Sequence, residues 1–419
     1  MDINTNQMIN NYLNETCSLI KNKAVHKEIK EELTSHITAL INHYKKQGNS
    51  FDEAVNLALK DMGDNQKLGE KLNKVHKPTF DYKLLASIFV LVVIGVVGSF
   101  SFNSIFSYQD HTTPLNNPYF LKNSVWLVLG LIAFIIGYFV KFKILKKFSI
   151  PMYIVAFAIY VFYIFTSSSS SEQYGYELGP VSISVLPWLP LLFLFSIAGI
   201  YTKLSFKNIK NMILAIILVL VPLACMAYSF KFVPMFIYFG IALLVILYVF
   251  SRNVKLIIGT GILEVLIFLA TSLKGLNILL TSNFGSPQTV TKILTTSKLI
   301  GENHTTMTYI NLSYPIVSAI GYFGWIFGIA IVLILIYFIF RLIKISASIN
   351  NAYGKSLAFS ISTILIVQTI WGTLMNFNLM PYAGVAIPFV SYSGTLFVFG
   401  LFILGILTNI YSLKTLKNI

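Results

Sequence analysis

The stretch Pro381-Tyr-Ala-Gly-Val-Ala-Ile-Pro-Phe-Val-Ser-Tyr-Ser-Gly394 interrupts what would otherwise be a continuous apolar region near the end of the chain. Proline removes a backbone donor and glycine loosens a helix. Backbone that is not helical is tolerated at membrane depth only where protein or a water-filled cavity covers it. The stretch therefore predicts either a re-entrant element that lines a cavity near a site or a loop that dips into the headgroup region.

The composition of the 419-residue chain is that of a membrane protein. Hydrophobic residues make up 56% and charged residues only 11%, with a mean hydropathy of +0.73, whereas about a quarter of a soluble chain is charged. Eleven of the sixteen carboxylates lie in residues 1–83, and beyond them Lys and Arg greatly outnumber Asp and Glu. Basic residues in short loops between apolar segments set membrane topology, so we expect no nucleic-acid partner.

Ten apolar segments follow residue 83, and about twenty residues suffice to cross a bilayer. They centre on 84–106, 121–140, 148–166, 183–201, 211–229, 232–250, 254–273, 314–340, 356–377 and 395–413. With both ends of the chain in the cytosol, the inner loops hold fourteen Lys and Arg and the outer loops five, as the positive-inside rule requires. The sequence therefore predicts a ten-helix transmembrane domain at 84–413, a cytosolic tail at 414–419 and two cytoplasmic termini. Prolines in or near the fourth to sixth segments predict kinks, and they are Pro187, Pro190, Pro222 and Pro234.

Residues 1–78 predict a small cytosolic domain of three or four amphipathic helices. The run Ala24–Gln47 has apolar residues at helical spacing and Gly48 closes it; the apolar residues are Ile29, Leu33, Ile37, Leu40, Ile41 and Tyr44. Ser50-Phe-Asp-Glu53 is a capping box for the next helix. The elements His26-x-x-Ile-x-x-Glu-Leu33, Met62-Gly63-Asp64 and His76-Lys-Pro78 resemble the permease-prefix domain of many Gram-positive membrane proteins. The chain as a whole predicts an all-α fold, a polytopic membrane protein with about ten transmembrane helices behind this helical prefix.

The order Pro-x-x-Gly-x-x-x-Pro-Phe-x-Ser-Tyr-x-Gly resembles the C-terminal signature of the SEDS family, the FtsW, RodA and SpoVE proteins. These bacterial cell-membrane proteins handle lipid II and polymerise peptidoglycan strands in division and cell shape. The resemblance implies lipid II as substrate and a penicillin-binding transpeptidase as a partner. We expect neither cofactor nor metal, because no spacing of Cys and His resembles a metal site. The sequence of this chain departs from the usual family form at Ala383, Ile387, Ser393 and Thr395. The implied substrate-binding residues are Gln368, Pro381, Gly384, Pro388, Ser391, Tyr392 and Gly394.

The same resemblance implies a catalytic acid that this chain lacks. Active SEDS proteins place an essential aspartate at the start of the eighth span, eleven residues before a motif glycine. Counting back from Gly324 puts Ser313 at that position, and no Asp follows Asp110. Two further acidic motifs are replaced by Leu186-Pro-Trp-Leu189 and Pro222-Leu-Ala-Cys225. Since a serine hydroxyl is a poor general base at neutral pH, the resemblance implies a family member with lost or reduced polymerase activity.

Two other acids are candidates for a function. Glu302 lies in the long outer loop Leu273–Leu312, where a solvated loop charge is the simpler interpretation. Glu264 lies near the middle of the seventh segment, where a carboxylate is a functional candidate or a protonated or Lys-paired structural group. Three functions stay open: a polymerase that uses a shifted acid, a non-catalytic protein that binds lipid-linked precursor or a transpeptidase, and a transporter of that precursor.

Overall fold

The structure is a computed structural model, and it describes most of the chain. The described residues are 7–75, 80–110, 118–140, 142–166, 176–178, 181–183, 188–228, 233–281, 287–301, 314–380, 386–391 and 394–414. The chain divides into two compact units, one of Met1–Phe80 with Ser412–Ile419 and one of Asp81–Tyr411.

The N-terminal unit is a small helical cluster around an apolar core. Its helices are α1 (Gln7–Ser18), α2 (His26–Lys46), α3 (Phe51–Met62) and α4 (Asn65–Val75), with a 3₁₀ turn at Lys23–Val25. The amphipathic pattern predicted for α2 is confirmed, because its buried residues are Ile29, Leu33, Ile37 and Ile41. The predicted capping box is also present, with the Ser50 N–H donating to Oε2 of Glu53 at 3.0 Å and the Glu53 N–H to Oγ of Ser50 at 3.4 Å.

Close packing joins the first and last helices of this unit. A Cβ at Gly69 of α4 would lie 2.9 Å from the carbonyl oxygen of Thr16 in α1, so only glycine lets the two backbones approach this closely. The core of the unit also includes Leu413, from the other end of the sequence. This core is therefore formed by residues that lie more than three hundred positions apart in the sequence.

The second unit contains long apolar helices and, among its described residues, one short antiparallel hairpin, β1 (Tyr176–Leu178) with β2 (Val181–Ile183). Its helices are α5 (Tyr82–Asp110), α6 (Pro118–Phe139), α7 (Phe142–Lys147), α8 (Ser149–Thr166), α9 (Trp188–Tyr201), α10 (Ile209–Tyr228), α11 (Val233–Ser251), α12 (Val254–Thr281), α13 (Pro287–Thr296), α14 (Pro315–Phe323), α15 (Trp325–Ala347), α16 (Ala352–Asn376) and α17 (Gly394–Ser412).

The predicted membrane fold is confirmed, since each of the ten apolar segments contains an apolar helix. Within the described residues, α15, α16 and α17 are long and apolar enough to cross a membrane, and six shorter apolar stretches accompany them. Two details of the prediction were wrong. The fourth helix begins at Trp188, because residues 181–183 pair as a strand instead, and the eighth segment is two helices that meet at Gly324.

The prolines in these helices have unequal effects. Pro222 lies inside α10, where a proline removes an intrahelical hydrogen bond. Pro190 and Pro234 lie in the first turns of α9 and α11, where the missing N–H has no intrahelical partner to lose. At these two prolines no intrahelical hydrogen bond is lost, so the physical cause of the predicted kinks is missing. The fourth proline, Pro187, lies outside the described residues.

Helix directions in this unit agree with alternating membrane crossings. Trp126 near the start of α6 meets Gly394 at the start of α17, and Gly137 further along α6 meets Phe402 of α17, so these two even-numbered spans run parallel. Asp81 at the start of α5 forms an ion pair with Arg341 near the end of α15. The first span thus begins at the same end of the unit at which the eighth span finishes.

Candidate functional site

The described part of the signature stretch, residues 386–391, is a tight turn that one serine holds closed. The Ile387 N–H donates to Oγ of Ser391 at 2.9 Å, and the Ser391 N–H donates back to the carbonyl oxygen of Ile387 at 3.0 Å. Phe389 adopts a left-handed φ of +67°, which a residue other than glycine seldom takes. Ile387, Phe389, Val390 and Ser391 are all buried.

Four helices enclose this turn, and we call it the signature turn. A Cβ at Gly95 of α5 would collide with the Phe389 carbonyl oxygen, and one at Gly372 of α16 would lie 2.6 Å from the Ile387 side chain. The Phe389 ring lies between Phe338 of α15 and Phe397 of α17, with ring centroids 6.0 and 6.2 Å away. The described part of the stretch is therefore covered by protein, as the re-entrant alternative requires.

Gly394, the last residue of the signature, contacts an aromatic side chain. A Cβ at this position would overlap the indole ring of Trp126 in α6. Trp188 at the start of α9 contacts the same helix, α17, through Phe399 and Phe402, with ring centroids 4.9 and 5.3 Å apart. The start of α17 is thus fixed by two tryptophans from distant parts of the chain.

The other residues that the resemblance implies are only partly described. Gln368 is half-buried on α16, one helical turn before Gly372, so both residues share the face that meets the signature turn. Pro388 is half-buried within the turn. The remaining three, Pro381, Gly384 and Tyr392, lie outside the described residues.

The start of α14 is anchored by Asn376, a residue of α16 that the sequence did not point to. Pro315 is the first residue of α14, where its missing N–H costs nothing. Oδ1 of Asn376 accepts the next two backbone N–H groups, from Ile316 at 3.0 Å and Val317 at 3.4 Å. The Asn376 amide also donates to the Gly372 carbonyl oxygen at 2.8 Å, and the side chain is fully buried.

A short amphipathic helix covers the region beside this junction. Val290 and Ile293 of α13 are fully buried in a cluster with Tyr314 and with Trp371 and Met375 of α16. The amide of Asn378 donates to Oγ1 of Thr291 at 3.2 Å and joins the end of α16 to α13. Part of the segment Leu273–Leu312, which the sequence predicts to be a loop, is therefore folded onto the apolar helices.

The break at Gly324 is made by the segment 298–301, which we call the strap. The N–H groups of Trp325 and Ile326 donate to the carbonyl oxygens of Lys298 and Leu299 at 3.1 and 3.3 Å. A Cβ at Gly324, whose φ is +95°, would lie 2.5 Å from the Leu299 oxygen. The strap thus satisfies the first N–H groups of α15, which have no partner within their own helix.

The two candidate catalytic positions, Glu302 and Ser313, have neighbours in the chain that the structure describes. Glu302 and Ser313 both lie outside the described residues. Gly301 is described, and its N–H donates at 3.2 Å to the carbonyl oxygen of Phe323, the last residue of α14. Tyr314 immediately precedes the first residue of that helix. The chain neighbours of Glu302 and Ser313 therefore lie at opposite ends of α14.

Glu264 is a buried carboxyl group within the helices. Its residue is 6% exposed, and a Cβ at Gly240 of α11 would lie 3.0 Å from its Oε2. Among the described residues, Oε1 has no hydrogen-bond partner and no Lys or Arg forms an ion pair with this carboxyl. The Lys-paired alternative is thus absent from the described part of the chain, and the protonated alternative fits a site without a cation.

In the described part of the chain, no group of three or more His, Cys, Asp and Glu side chains could hold a metal ion. The polar features that the structure brings together are instead the anchored start of α14, the end of α16 and the signature turn. Gly372 contacts the turn through Ile387 and receives the Asn376 hydrogen bond. These three elements form one continuous candidate site.

Comparison with known proteins relates this site to a bacterial family. The family model FTSW_RODA_SPOVE, described as a cell cycle protein, matches residues 315–415, from α14 to the end of α17. A probable peptidoglycan glycosyltransferase FtsW of Geobacter sulfurreducens (strain DL-1 / KN400) is 35% identical over 72 residues, which are 17% of this chain and 19% of that protein. The matched region thus spans only about a fifth of that relative's length. FtsW of Bacillus subtilis (strain 168), with the same description, is 24% identical over 366 residues, 79% of this chain and 90% of the relative.

A solved structure extends the likeness to the whole membrane unit. A chain of a peptidoglycan synthase complex, in which polymerization and crosslinking are coordinated, has a TM-score of 0.63 at 15% identity. The similarity covers 80% of this chain and 98% of that chain, so the two share a fold. The family match includes both the anchored start of α14 and the signature turn. Over residues 315–415 the chain is thus similar to the SEDS family, the FtsW, RodA and SpoVE proteins.

Proposed function

We propose that this chain binds lipid II, the lipid-linked peptidoglycan precursor, in cell-wall synthesis, cell division or cell shape, with polymerase activity lost or much reduced. The observation that carries the proposal is an enclosed signature turn in a chain that has Ser313 at the family's acid position. Glycosyl transfer needs a base that accepts the proton of the attacking sugar hydroxyl. A positioned acid or base contributes roughly 10²–10⁴-fold to such a step, so the chain without it binds rather than polymerises.

The alternative is a polymerase with a shifted acid. It requires Glu302 to act where the family places its aspartate. Gly301 and Tyr314, the described neighbours of the two positions, lie at opposite ends of the nine-residue helix α14. Polymerisation by the unmodified chain that is lost in Glu302→Gln would support this alternative.

A transporter of lipid-linked precursor is the second candidate function. It is favoured by Glu264, whose carboxyl is buried against Gly240 without a described cation. Intramembrane acids of this kind mark ion and proton pathways in transporters. Both functions need the precursor to bind, so binding is the first property to test.

A transpeptidase is the proposed partner of this chain, by analogy with its structural relative. That relative belongs to a synthase complex that coordinates polymerization with crosslinking. We also propose that both termini are cytoplasmic, because the Lys and Arg excess lies in the loops on that side. The binding site would then face the outer leaflet at the start of α14.

The test is a lipid II binding and polymerisation assay on the purified chain, with and without a cognate transpeptidase. Two glycines of α5 give a matched pair of variants. A Cβ at Gly95 collides with the Phe389 carbonyl oxygen, whereas one at Gly98 meets nothing within 4 Å. We expect Gly95→Ala to weaken lipid II binding and Gly98→Ala to leave it unchanged, because only the former displaces the signature turn.

Two outcomes would contradict the proposal. Efficient glycan polymerisation by the unmodified chain would show that catalysis is intact, and its loss in Glu302→Gln would support the shifted acid instead. Equal lipid II binding by both glycine variants would show that the signature turn does not contribute to lipid II binding. Transport of a fluorescent precursor into vesicles, abolished in Glu264→Gln, would favour the second function.

A further inference from the structure

The side chain of Asn376 contacts the start of α14 and the backbone of Gly372, against which the signature turn packs. Its Oδ1 accepts the Ile316 and Val317 N–H groups at the start of α14, and its amide donates to the Gly372 carbonyl oxygen. The backbone and side chain of Ile387, in the signature turn, lie against the α-carbon of Gly372. One fully buried side chain therefore connects the α14 junction to the backbone position on which the turn rests.

These contacts differ from ordinary capping. The first N–H groups of a helix are usually satisfied by the residue just before it, but Tyr314 makes no side-chain cap here. The acceptor comes instead from a different helix, sixty residues further along the chain. The position of the α14 start thus depends on a side chain of α16.

We propose that Asn376 is a positioning residue that couples the signature turn to the start of α14 and thereby sets lipid II affinity. This inference rests on the proposed binding function. Asn376 acts through two hydrogen bonds that hold the junction after residue 313 in register with the turn, and it does not itself contact the precursor. Without them the turn and the junction move independently, and a ligand that needs both binds more weakly.

Three variants of the full chain test this coupling. Asn376→Leu removes acceptor and donor at similar volume, so the Ile316 and Val317 N–H groups lose their partner. Asn376→Asp keeps an oxygen acceptor for both N–H groups in either protonation state, and its protonated form also keeps a donor, so it is the conservative replacement. The matched control is Thr369→Val. Thr369 is as fully buried in α16 as Asn376, and the hydrogen bond that the substitution removes, to the Leu365 carbonyl oxygen, stays within α16.

Two measurements are made on each variant in detergent or nanodiscs. Hydrogen exchange reports the Ile316 and Val317 amides directly, and we expect at least about tenfold faster exchange in Asn376→Leu, as for a lost hydrogen bond of about 1.4 kcal/mol. Lipid II affinity should fall about tenfold in the same variant. Both quantities should return close to the unmodified values in Asn376→Asp and stay unchanged in Thr369→Val.

The outcomes separate this inference from the proposed function. Failure of the unmodified chain to bind lipid II would overturn the binding function, while the exchange data would still measure the anchor. Faster exchange with unchanged affinity in Asn376→Leu would refute the coupling alone. Equal loss of affinity in Thr369→Val, or no recovery in Asn376→Asp, would reduce Asn376 to a residue of general stability and contradict the inference.

Discussion

Breaking the buried ion pair between Asp81 and Arg341 should destabilise the membrane unit more than most single substitutions. The two side chains are only 5% and 11% exposed, and Nε of Arg341 has no hydrogen-bond acceptor in the described structure. Removing one partner of a buried pair leaves an uncompensated charge and costs about 3–5 kcal/mol. Total stabilities are about 5–15 kcal/mol, so Asp81→Asn should remove a large fraction of the free energy of unfolding.

Asp81 has a second role as the N-cap of α5, and a comparison of two substitutions distinguishes this role from the ion pair. Its Oδ1 accepts the Leu84 N–H at 2.8 Å and so caps the start of α5. Asparagine is an equally good N-cap residue, whereas alanine costs about 1 kcal/mol there. We therefore expect Asp81→Ala to be about 1 kcal/mol less stable than Asp81→Asn, and the difference between the two variants measures the cap.

Denaturant unfolding of the purified chain in micelles measures these free energies. The control is Glu31→Gln in the prefix, since the Lys27–Glu31 pair is 3.9 Å long with side chains 89% and 64% exposed. An exposed pair of this type is worth about 0.5 kcal/mol or less. The double variant Asp81→Asn, Arg341→Met removes both charges, so it should recover at least about 2 kcal/mol. A loss below about 1 kcal/mol in Asp81→Asn, or no recovery in the double variant, would refute the reasoning.

Three further predictions follow from the fold. Cysteine introduced at Ser169 or Ser286 should label from outside intact cells and at Lys146 should not; labelling at Lys146 would reverse the topology. Residues 1–78 expressed alone should be soluble and helical by circular dichroism, and a random-coil spectrum would contradict a self-standing prefix. Hydrogen bonds from the capping serine, through its backbone N–H first and its hydroxyl second, lower the pKa of Glu53. The stability that ionised Glu53 contributes to the folded prefix is therefore fully present above the unfolded pKa of about 4.3. It is lost as pH falls through the lower folded pKa. The free energy of unfolding of residues 1–78 should therefore decrease less at acid pH in Glu53→Gln than in the unmodified prefix.

Local patterns in the sequence predicted the helices well, because helix formation depends on residues a few positions apart. The capping box at Ser50 and the apolar spacing of α2 are confirmed for this reason. Each apolar segment predicted from hydropathy also contains a helix in the described structure, but hydropathy did not predict the break at Gly324. That break depends on hydrogen bonds from the strap, whose residues lie about twenty-five positions upstream, and no local signal encodes such a contact.

The candidate site was harder to predict, since its contacts join distant residues. Asn376 meets Ile316 across sixty positions, and Asp81 meets Arg341 across two hundred and sixty. Pro315 did mark the start of a helix, because proline is favoured at a first helical position. The acceptor for that helix could not be assigned from the sequence, because an asparagine inside an apolar helix has many potential partners.

The structure gives the signature residues a packing role that precedes any role in binding. Ser391 closes the turn by accepting the Ile387 N–H, and Gly394 leaves room for the Trp126 indole. A match to these residues therefore identifies the fold directly and the ligand only through the surface that the fold creates. The proposed loss of polymerase activity rests instead on Ser313, which stands at the acid position that the resemblance implies. Ser313→Asp restores a carboxylate there and tests whether the packing supports catalysis. Polymerisation gained by that single change would assign the proposed loss to one side chain, and continued inactivity would extend it to the other replaced acidic motifs.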